Sequence, residues 1–310
     1  MKVVQIGYGH LGKWHAEKAL ITYKENFIGI VEVDESKHEE LNHKFPHQII
    51  TNNLEDIIKK ADAVIIVTPT SFHYELLKKC LERDLHVFCE KPLTESYPQT
   101  VEINDILNKR PDLKLQVGHS ERFHPVWDQL RSELKEKEVF SLIRRAPFKG
   151  RGADVDIVQD LMIHDFDLLF YFLGKAPKSI DAIGTKVVTE NYDYVRASLD
   201  FGDGQSAEVV ASRISTNEQR QMLAVDKKGE VLVDLLSAEF SRSYFDEGEF
   251  IVQKSKYDRA DHLLEEHQHF KKLIDTNSEP IVGIKDAVIV MKMIDMTVRS
   301  LISGERVFWQ

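Results

Sequence analysis

Cysteine is scarce in this sequence: only Cys80 and Cys89 occur among 310 residues. Two thiols are too few for a disulfide framework or a structural zinc site, so we expect a reducing compartment, the cytoplasm. Apolar runs of about eighteen residues are also lacking. The first residues read as a strand and a turn rather than as a signal peptide. We therefore expect neither secretion nor membrane spanning.

Positive charge is in short supply as well, with 41 Lys and Arg against 51 Asp and Glu and a formal net charge of -10. Binding to a nucleic-acid backbone through overall charge needs the opposite excess, so nucleic acid is not an expected partner. The 42% hydrophobic and 30% charged content is typical of a soluble globular protein with a sizeable core. One large domain or two smaller ones are expected.

The first 118 residues alternate short apolar runs with amphipathic stretches such as 72–82. Strand followed by helix, repeated, predicts a doubly wound α/β domain built on a parallel sheet. The predicted strands are 3–6, 27–33, 63–67, 86–89 and 113–117.

Beyond residue 175 the pattern changes to strands joined by short turns, which predicts a largely antiparallel sheet. These strands are predicted at 178–187, 193–201, 206–213, 219–226 and 229–236. Two helical patterns follow, at 261–276 and 284–303, and Gly304 supplies a helix stop for the second.

A glycine motif, Gly7-Tyr8-Gly9-His10-Leu11-Gly12, stands between the first predicted strand and a helix. In this context G-x-G-x-x-G predicts a dinucleotide site, because the glycines allow a tight turn and let the backbone approach a pyrophosphate. The helix N-terminus offers its N–H groups to the same phosphates. We expect cofactor contacts from Gly7, Gly9, His10, Leu11 and Gly12; a glycine turn without a ligand is the alternative.

Glu32 stands twenty positions after Gly12, at the end of the second predicted strand. A carboxylate there can accept hydrogen bonds from the adenine ribose and would repel a 2′-phosphate. Asp34 and Glu35 add negative charge, and Lys37 is the nearby cation. The sequence therefore predicts NAD rather than NADP as the cofactor.

Lys91 lies in Cys89-Glu90-Lys91-Pro92, at the carboxyl end of a predicted strand. Open α/β sheets bind their ligands at this edge. Pro92 favours an extended Lys91, which would carry the ammonium toward the cofactor. A surface lysine is the alternative interpretation.

Asp160 and His164 are spaced i, i+4 in a strongly apolar helical pattern, so they share one helix face. Burying either group unpaired is costly, and each therefore needs a partner or a ligand. Histidine can accept a hydroxyl proton near neutral pH, and a neighbouring aspartate can fix its tautomer. A satisfied Asp–His pair in the core is the alternative.

A basic segment precedes this helix and contains Arg144, Arg145, Lys149 and Arg151 with no acid between them. Guanidinium groups bind phosphate in bidentate fashion, so the segment predicts a phosphorylated or nucleotide-linked substrate. A solvated face is the alternative.

Two histidine groups lack the spacing of a metal site, and we interpret them as helix-surface residues. They are His38, His43 and His47, and His262, His267 and His269. We predict no metal.

Together these motifs resemble the Gfo/Idh/MocA family of NAD(P)-dependent sugar oxidoreductases along essentially the whole chain. The resemblance implies a Rossmann domain at 1–118 and an α/β substrate and oligomerisation domain at 119–282, with a largely antiparallel open-faced sheet. It further implies that a C-terminal helix, 283–310, returns toward the first domain and that the protein is a homo-oligomer, a dimer or tetramer.

The resemblance also implies roles for single residues. The family's catalytic Lys, Asp and His match Lys91, Asp160 and His164. Residues that resemble the family's cofactor-contacting positions are Thr68, Thr70, His73 and Glu90, and His15 stands where members carry a histidine after the glycine motif.

Within the family, segments 117–125, 160–165 and 211–215 are most similar to members that oxidise the 3-hydroxyl of UDP-N-acetylglucosamine. A pyridoxal-phosphate aminotransferase would then aminate the ketone on the way to lipid A or a surface glycan. The corresponding hypothesis has His164 take the hydroxyl proton and Lys91 hydrogen-bond the same oxygen. Predicted contacts to the diphosphate come from Arg122, Arg144, Arg151 and Arg213.

Three alternatives stay open. A free-sugar or inositol dehydrogenase would use the same Lys, Asp and His. An NAD-dependent glycosidase could begin with the same oxidation and then eliminate the glycosidic group. A non-catalytic dinucleotide sensor would need only the glycine site.

Overall fold

A computed structural model describes residues 1–134, 139–148, 150 and 156–310. The chain forms two compact units, the first made of 1–123 with 261–288 and the second of 124–260 with 289–310. Two residues of the predicted basic segment, Lys149 and Arg151, lie outside the described residues.

Regular elements occupy most of the described chain. The helices are α1 His10–Tyr23, α2 His38–Lys44, α3 His73–Leu81, α4 Tyr97–Asn108, α5 Val126–Glu133, α6 Ile163–Leu173, α7 His262–Thr276 and α8 Ile284–Ser303. The strands are β1 Val3–Ile6, β2 Phe27–Val31, β3 Ile49–Thr51, β4 Ala63–Ile66, β5 His86–Glu90, β6 Leu115–Gly118, β7 Val139–Arg145, β8 Ser179–Thr185, β9 Tyr194–Gly202, β10 Gln205–Ser212, β11 Gln219–Asp226, β12 Gly229–Asp234, β13 Glu239–Asp246, β14 Glu249–Lys256 and β15 Val307–Phe308. Among the described helices, none has the length and apolar character that a membrane span requires.

The first unit contains a six-stranded sheet in the order β3-β2-β1-β4-β5-β6. All of its strand pairs are parallel, which confirms the predicted doubly wound α/β fold. The chain moves outward in opposite directions from β1 and β4, so the sheet has its topological switch point between these two strands. The edge strand β3 was not predicted, because three partly buried residues are too short for a strand pattern.

Alternate residues of the buried strands face opposite sides of this sheet, and each side has its own core. On one side Val4 and Val64 pack with Leu77 of α3 and Ile103 of α4. On the other side lie Val3 and Ile65 with residues of α1 and α7: Ala16, Ala19, Phe270 and Leu273. Burying each large apolar side chain contributes about 1.5–3 kcal/mol, so both layers stabilise the sheet.

Helix α7 belongs to the first unit although it follows the second in sequence. Tyr23 of α1 donates its hydroxyl hydrogen bond to the carbonyl of His267 at 3.1 Å. Lys18 lies 2.5 Å from Asp261, just before α7. The boundaries expected from the sequence assigned this helix to the second domain; the observed division differs because α7 completes the core around α1.

The second unit contains a nine-stranded sheet in the order β14-β13-β12-β11-β7-β10-β9-β8-β15. Its strand pairs are antiparallel apart from β7 with β10, which confirms the predicted largely antiparallel sheet. The central strand β7 was not predicted, because its Arg144 and Arg145 were interpreted as a basic segment. The β13–β14 hairpin was also missed.

This sheet has one buried face and one more accessible face. Along β7, Phe140 and Leu142 are buried, whereas Ser141 and Ile143 between them are only partly buried. On the accessible face, Ile143 lies beside Val210 of β10 and Gln221 of β11. We call this surface the open face.

Candidate cofactor and active site

The glycine loop connects β1 to α1 and can be formed only with glycine at its first position. Gly7 has φ +98°, and a Cβ there would lie 2.7 Å from the carbonyl oxygen of Val67. A Cβ on Gly9 would meet nothing within 4 Å, so this backbone faces open space. The first intrahelical bond of α1 runs from the N–H of Lys13 to the oxygen of Gly9. The first-turn N–H groups of His10, Leu11 and Gly12 thus have no acceptor within the helix, as at any helix N-terminus.

A cavity of about 410 Å³ lies beside this loop. It opens at the carboxyl ends of β1, β2 and β4, around the switch point where open α/β sheets bind ligands. The residues on its wall that bear on cofactor binding are Gly7, Gly9, Glu32, Thr68, Phe72 and Leu76. A mainly apolar wall with few polar groups is typical of a small-molecule site.

Glu32 is buried on the cavity wall and held from both sides. One carboxylate oxygen accepts the N–H of Tyr8 at 2.7 Å, and the other accepts the N–H of Asp34 at 3.0 Å. The ammonium of Lys37 lies 3.5 Å from the second oxygen. A carboxylate fixed in this way can accept ribose hydroxyls, so loop, helix end and acid together fit a dinucleotide.

Thr68 and His73 serve the site in different ways. Thr68 lies on the cavity wall. The buried ring of His73 has Nε2 3.0 Å from the carbonyl oxygen of Thr68 and Nδ1 2.9 Å from that of Pro92. Burial lowers the pKa of His73. His73 therefore joins the loop after β4 to the loop after β5, and Thr70 lies in the short turn between Thr68 and α3.

Glu90 ends β5 directly before Lys91. Its carboxylate lies 2.9 Å from Nε2 of His15, and its other oxygen accepts the N–H of Lys91 at 3.2 Å. Burial opposes ionisation, but the hydrogen bond with His15 and the nearby charge of Lys91 outweigh it and lower the pKa of Glu90. A Cβ on Gly118 of β6 would lie 2.6 Å from this carboxylate, so glycine leaves the room that Glu90 occupies.

His267 was missed by the sequence interpretation, which placed it on a helix surface; that prediction is wrong. The residue is 1% exposed, with Nε2 3.0 Å from Nδ1 of His15 and its ring stacked on Phe88 at 5.7 Å between centroids. The helical spacing of His267 with the apolar Phe270 and Ile274 was the available signal.

Asp160 and His164 lie in consecutive turns of the second unit. Residues Val158–Met162 form a π-helical turn that contains Asp160, and His164 follows in the first turn of α6. Both residues are partly buried. Single π-turns within helices are frequent at functional sites, so this local geometry favours the predicted role of the pair. Lys91 belongs to the first unit.

Arg144 is buried against α6, so the solvated-face alternative does not hold for this residue. Its Nη2 and Nε donate to the two oxygens of Asp165 at 2.9 and 3.2 Å. The guanidinium is thus engaged by a carboxylate rather than solvated. Arg145 projects to the opposite face of β7, since successive strand residues alternate.

The other described arginines that were expected at a diphosphate also lie next to acids. Arg122 donates from Nη1 to Asp286 at 2.9 Å and to the carbonyl of Ile281 at 3.1 Å. Arg213 has Nε 3.9 Å from Asp193. Both arginines are buried. The predicted anion site is therefore not formed by free guanidinium groups at these positions, and Arg151 is outside the described residues.

Within the described ranges, no group of three or more His, Cys, Asp or Glu side chains is arranged to hold a metal ion.

Two family models match the chain. The model described as "Oxidoreductase family, NAD-binding Rossmann fold" covers residues 1–119, and the "GFO/IDH/MocA C-terminal domain" covers residues 144–231. The two matches fall on the parallel sheet with the glycine loop and on much of the second unit.

Curated relatives include two kinds of dehydrogenase. The chain is 31% identical to UDP-N-acetylglucosamine 3-dehydrogenase of Acidithiobacillus ferrooxidans over 224 residues. The aligned region covers 72% of this chain and 70% of that protein. It is 25% identical over 248 residues to inositol 2-dehydrogenase of Rhizobium meliloti, with 74% of each chain covered.

Solved structures share the fold along nearly the whole chain. A structure of the Acidithiobacillus ferrooxidans UDP-N-acetylglucosamine 3-dehydrogenase superimposes with a TM-score of 0.90 at 26% identity and covers 98% of both chains. Scyllo-inositol dehydrogenase from Lactobacillus casei, solved with NAD(H) and scyllo-inositol, gives a TM-score of 0.84 at 20% identity and covers 99% of this chain and 98% of that one. The second likeness supports the fold alone.

Proposed function

Since the chain belongs to the Gfo/Idh/MocA oxidoreductase family and is similar to its sugar dehydrogenases, we propose that it oxidises the 3-hydroxyl of UDP-N-acetylglucosamine to a ketone with NAD. The observation that carries this choice of substrate is the 31% identity to a UDP-N-acetylglucosamine 3-dehydrogenase over 72% of the chain. The ketone would suit a pyridoxal-phosphate aminotransferase as the next enzyme.

The proposed mechanism assigns one task to each candidate residue. Gly7, Gly9 and Glu32 would hold the dinucleotide, which would supply the acceptor for the hydride of the sugar carbon. His164 takes the hydroxyl proton, a step to which imidazole is suited near neutral pH. Asp160 orients His164. Lys91 donates a hydrogen bond to the same hydroxyl oxygen and stabilises the negative charge that develops on it.

The cofactor is proposed to be NAD, with Glu32 as the reason. Both oxygens of this carboxylate are held by backbone N–H groups, so it cannot swing away from an incoming 2′-phosphate without losing them. Lys37 already lies beside Glu32 and Asp34 and is therefore shared with two acids. Like charges at a buried site repel strongly, which disfavours NADP.

A second candidate substrate is inositol or a free sugar, because the curated relatives also include inositol 2-dehydrogenases. The two candidate substrates differ in whether the sugar carries a UDP group. Among the described residues expected at a diphosphate, Arg122 and Arg144 are each paired with a carboxylate, which weakens the case for the UDP group at these two positions.

A substrate panel tests the proposal directly. Purified protein is incubated with NAD or NADP and with UDP-sugars, free sugars or inositols, while NADH absorbance and product mass are followed. We expect turnover of UDP-N-acetylglucosamine with NAD, a product lighter by two hydrogens, and competition by UDP. Turnover of inositol alone would establish the second candidate. Release of free sugar without net NADH would establish a glycosidase, and a preference for NADP would overturn the role of Glu32.

We also propose that the protein is a homo-oligomer joined through the open face. Ile183 of β8 is 56% exposed, and Phe250 and Val252 of β14 are 62% and 51% exposed. Large apolar side chains spread over one sheet face favour burial against another surface. Light scattering is expected to give a dimer or tetramer, and Val252→Lys to shift it toward the monomer; a monomeric wild type would contradict this.

A further inference from the structure

We propose that His267, acting through His15 and Glu90, is a positioning residue for Lys91. The inference rests on the proposed role of Lys91 and adds a contribution from α7, a helix remote in sequence from that lysine. Nε2 of His267 on α7 lies 3.0 Å from Nδ1 of His15 on α1, and Nε2 of His15 lies 2.9 Å from the Glu90 carboxylate on β5. The other oxygen of Glu90 accepts the N–H of Lys91 at 3.2 Å.

The direction of these hydrogen bonds follows from the donors and acceptors available. Glu90 is ionised and only accepts, so Nε2 of His15 carries the hydrogen that faces it. In a neutral His15, Nδ1 is then an acceptor, and Nε2 of His267 must donate to it. His267 is neutral, because burial lowers its pKa well below the ordinary value.

The reverse arrangement is disfavoured by the far side of the His267 ring. Nδ1 of His267 is buried and has no hydrogen-bond partner among the described residues. If a cationic His15 donated to Nε2 of His267, Nδ1 would carry a buried N–H without an acceptor. A bare lone pair at that atom costs less, since buried N–H groups almost always find acceptors. The hydrogen bonds therefore run from His267 to His15 to Glu90.

The hydrogen-bonded chain His267–His15–Glu90, which we call the relay, has little conformational freedom. Phe88 stacks on His267, and Tyr23 holds the carbonyl of His267. Lys18 is the nearby cation, and Cys89 and His73 are the other titratable groups close to the cluster. With its ring fixed, His267 holds His15 in one tautomer, and that tautomer orients the Glu90 carboxylate beneath the backbone of Lys91. Small displacements of a reacting group are costly for the rate, so the relay affects turnover more than binding.

Nitrogen NMR of protein labelled with ¹⁵N-histidine tests the relay without substrate. In the wild type, both His15 and His267 are expected as Nε2–H tautomers near neutral pH, assigned by the loss of signals in His15→Gln and His267→Gln. A His267 with its hydrogen on Nδ1, or a cationic His15, would overturn the relay. The tautomers are read in the wild-type protein, the variants serve only to assign the signals, and the readout does not depend on the identity of the sugar.

Kinetics then test the effect on Lys91. His267→Leu is expected to lower kcat about ten- to a hundredfold while KM and NAD affinity change less than about threefold. His267→Gln keeps an N–H donor and should recover most of kcat. Phe88→Leu is the matched control, because it removes packing on the ring and no hydrogen bond. Equal losses of kcat in His267→Leu and His267→Gln would show that His267 acts through packing rather than through its hydrogen bond, and would overturn the proposal. Full activity of Lys91→Ala would contradict the proposed function. The NMR measurement of the His15 and His267 tautomers would still test the hydrogen-bond chain independently.

Discussion

Lys91→Ala is expected to lower kcat by about 10²- to 10⁴-fold and to leave NAD affinity nearly unchanged. The ammonium stabilises charge that appears on the substrate oxygen during the reaction, so its loss affects the transition state more than the ground state. The cofactor cavity is lined by other residues, Gly7, Glu32 and Thr68 among them, and these stay in place. His164→Ala should show the same separation, because it removes the proton acceptor.

Stopped-flow NADH formation and NAD titration measure the two quantities separately. Lys109→Ala is the control for the loss of a lysine, since Lys109 is exposed at the end of α4. Asp160→Asn should cost less than His164→Ala, because Asp160 acts on His164 rather than on the hydroxyl. Full activity of either Lys91→Ala or His164→Ala would remove that residue from the mechanism.

The first unit could be predicted almost element by element because its signals are local. Parallel strands buried on both faces appear as continuous apolar runs, as in 63–67, and the glycine motif is contained in six consecutive residues. The acid at Glu32 follows at a fixed interval. The sequence could not show the buried contact between His15 and His267 next to Glu90. His15 and His267 are 252 residues apart, and only the packing of α7 on α1 joins them.

The second unit was harder to predict because its decisive interactions pair charges across the sequence. Arg144 and Arg145 conceal the central strand β7, since two adjacent cations look like a solvated or anion-binding segment. In the structure the alternation of the strand separates them, and Asp165 neutralises the buried one. Sequence composition reports the charge of Arg122, Arg144 and Arg213 but not the acid that faces each of them. The inference from local charge to a phosphate-bearing substrate therefore stays a prediction, whereas the glycine spacing correctly predicted a dinucleotide-binding fold.

Arg144→Met is expected to destabilise the protein by about 3–5 kcal/mol, because it leaves the carboxylate of Asp165 buried without its partner. Replacing both partners, as in Arg144→Met with Asp165→Leu, should recover most of that loss, since an apolar pair of similar volume avoids the cost of burying charge. Urea denaturation of both variants measures the difference. Arg299→Met is the control: Arg299 is exposed on α8, its contact with Asp295 at 3.7 Å is a surface ion pair, and its loss should change stability by less than about 0.5 kcal/mol.

The same variants decide between a structural and a substrate-binding role for Arg144. If the ion pair with Asp165 is structural, the folded double variant should bind UDP and UDP-sugars as the wild type does. If Arg144 held a diphosphate, the double variant would be stable and yet lose that affinity, because a methionine offers phosphate no hydrogen bond. The bidentate contact at 2.9 and 3.2 Å favours the first outcome, since the carboxylate of Asp165 occupies the Nε/Nη2 edge of the guanidinium.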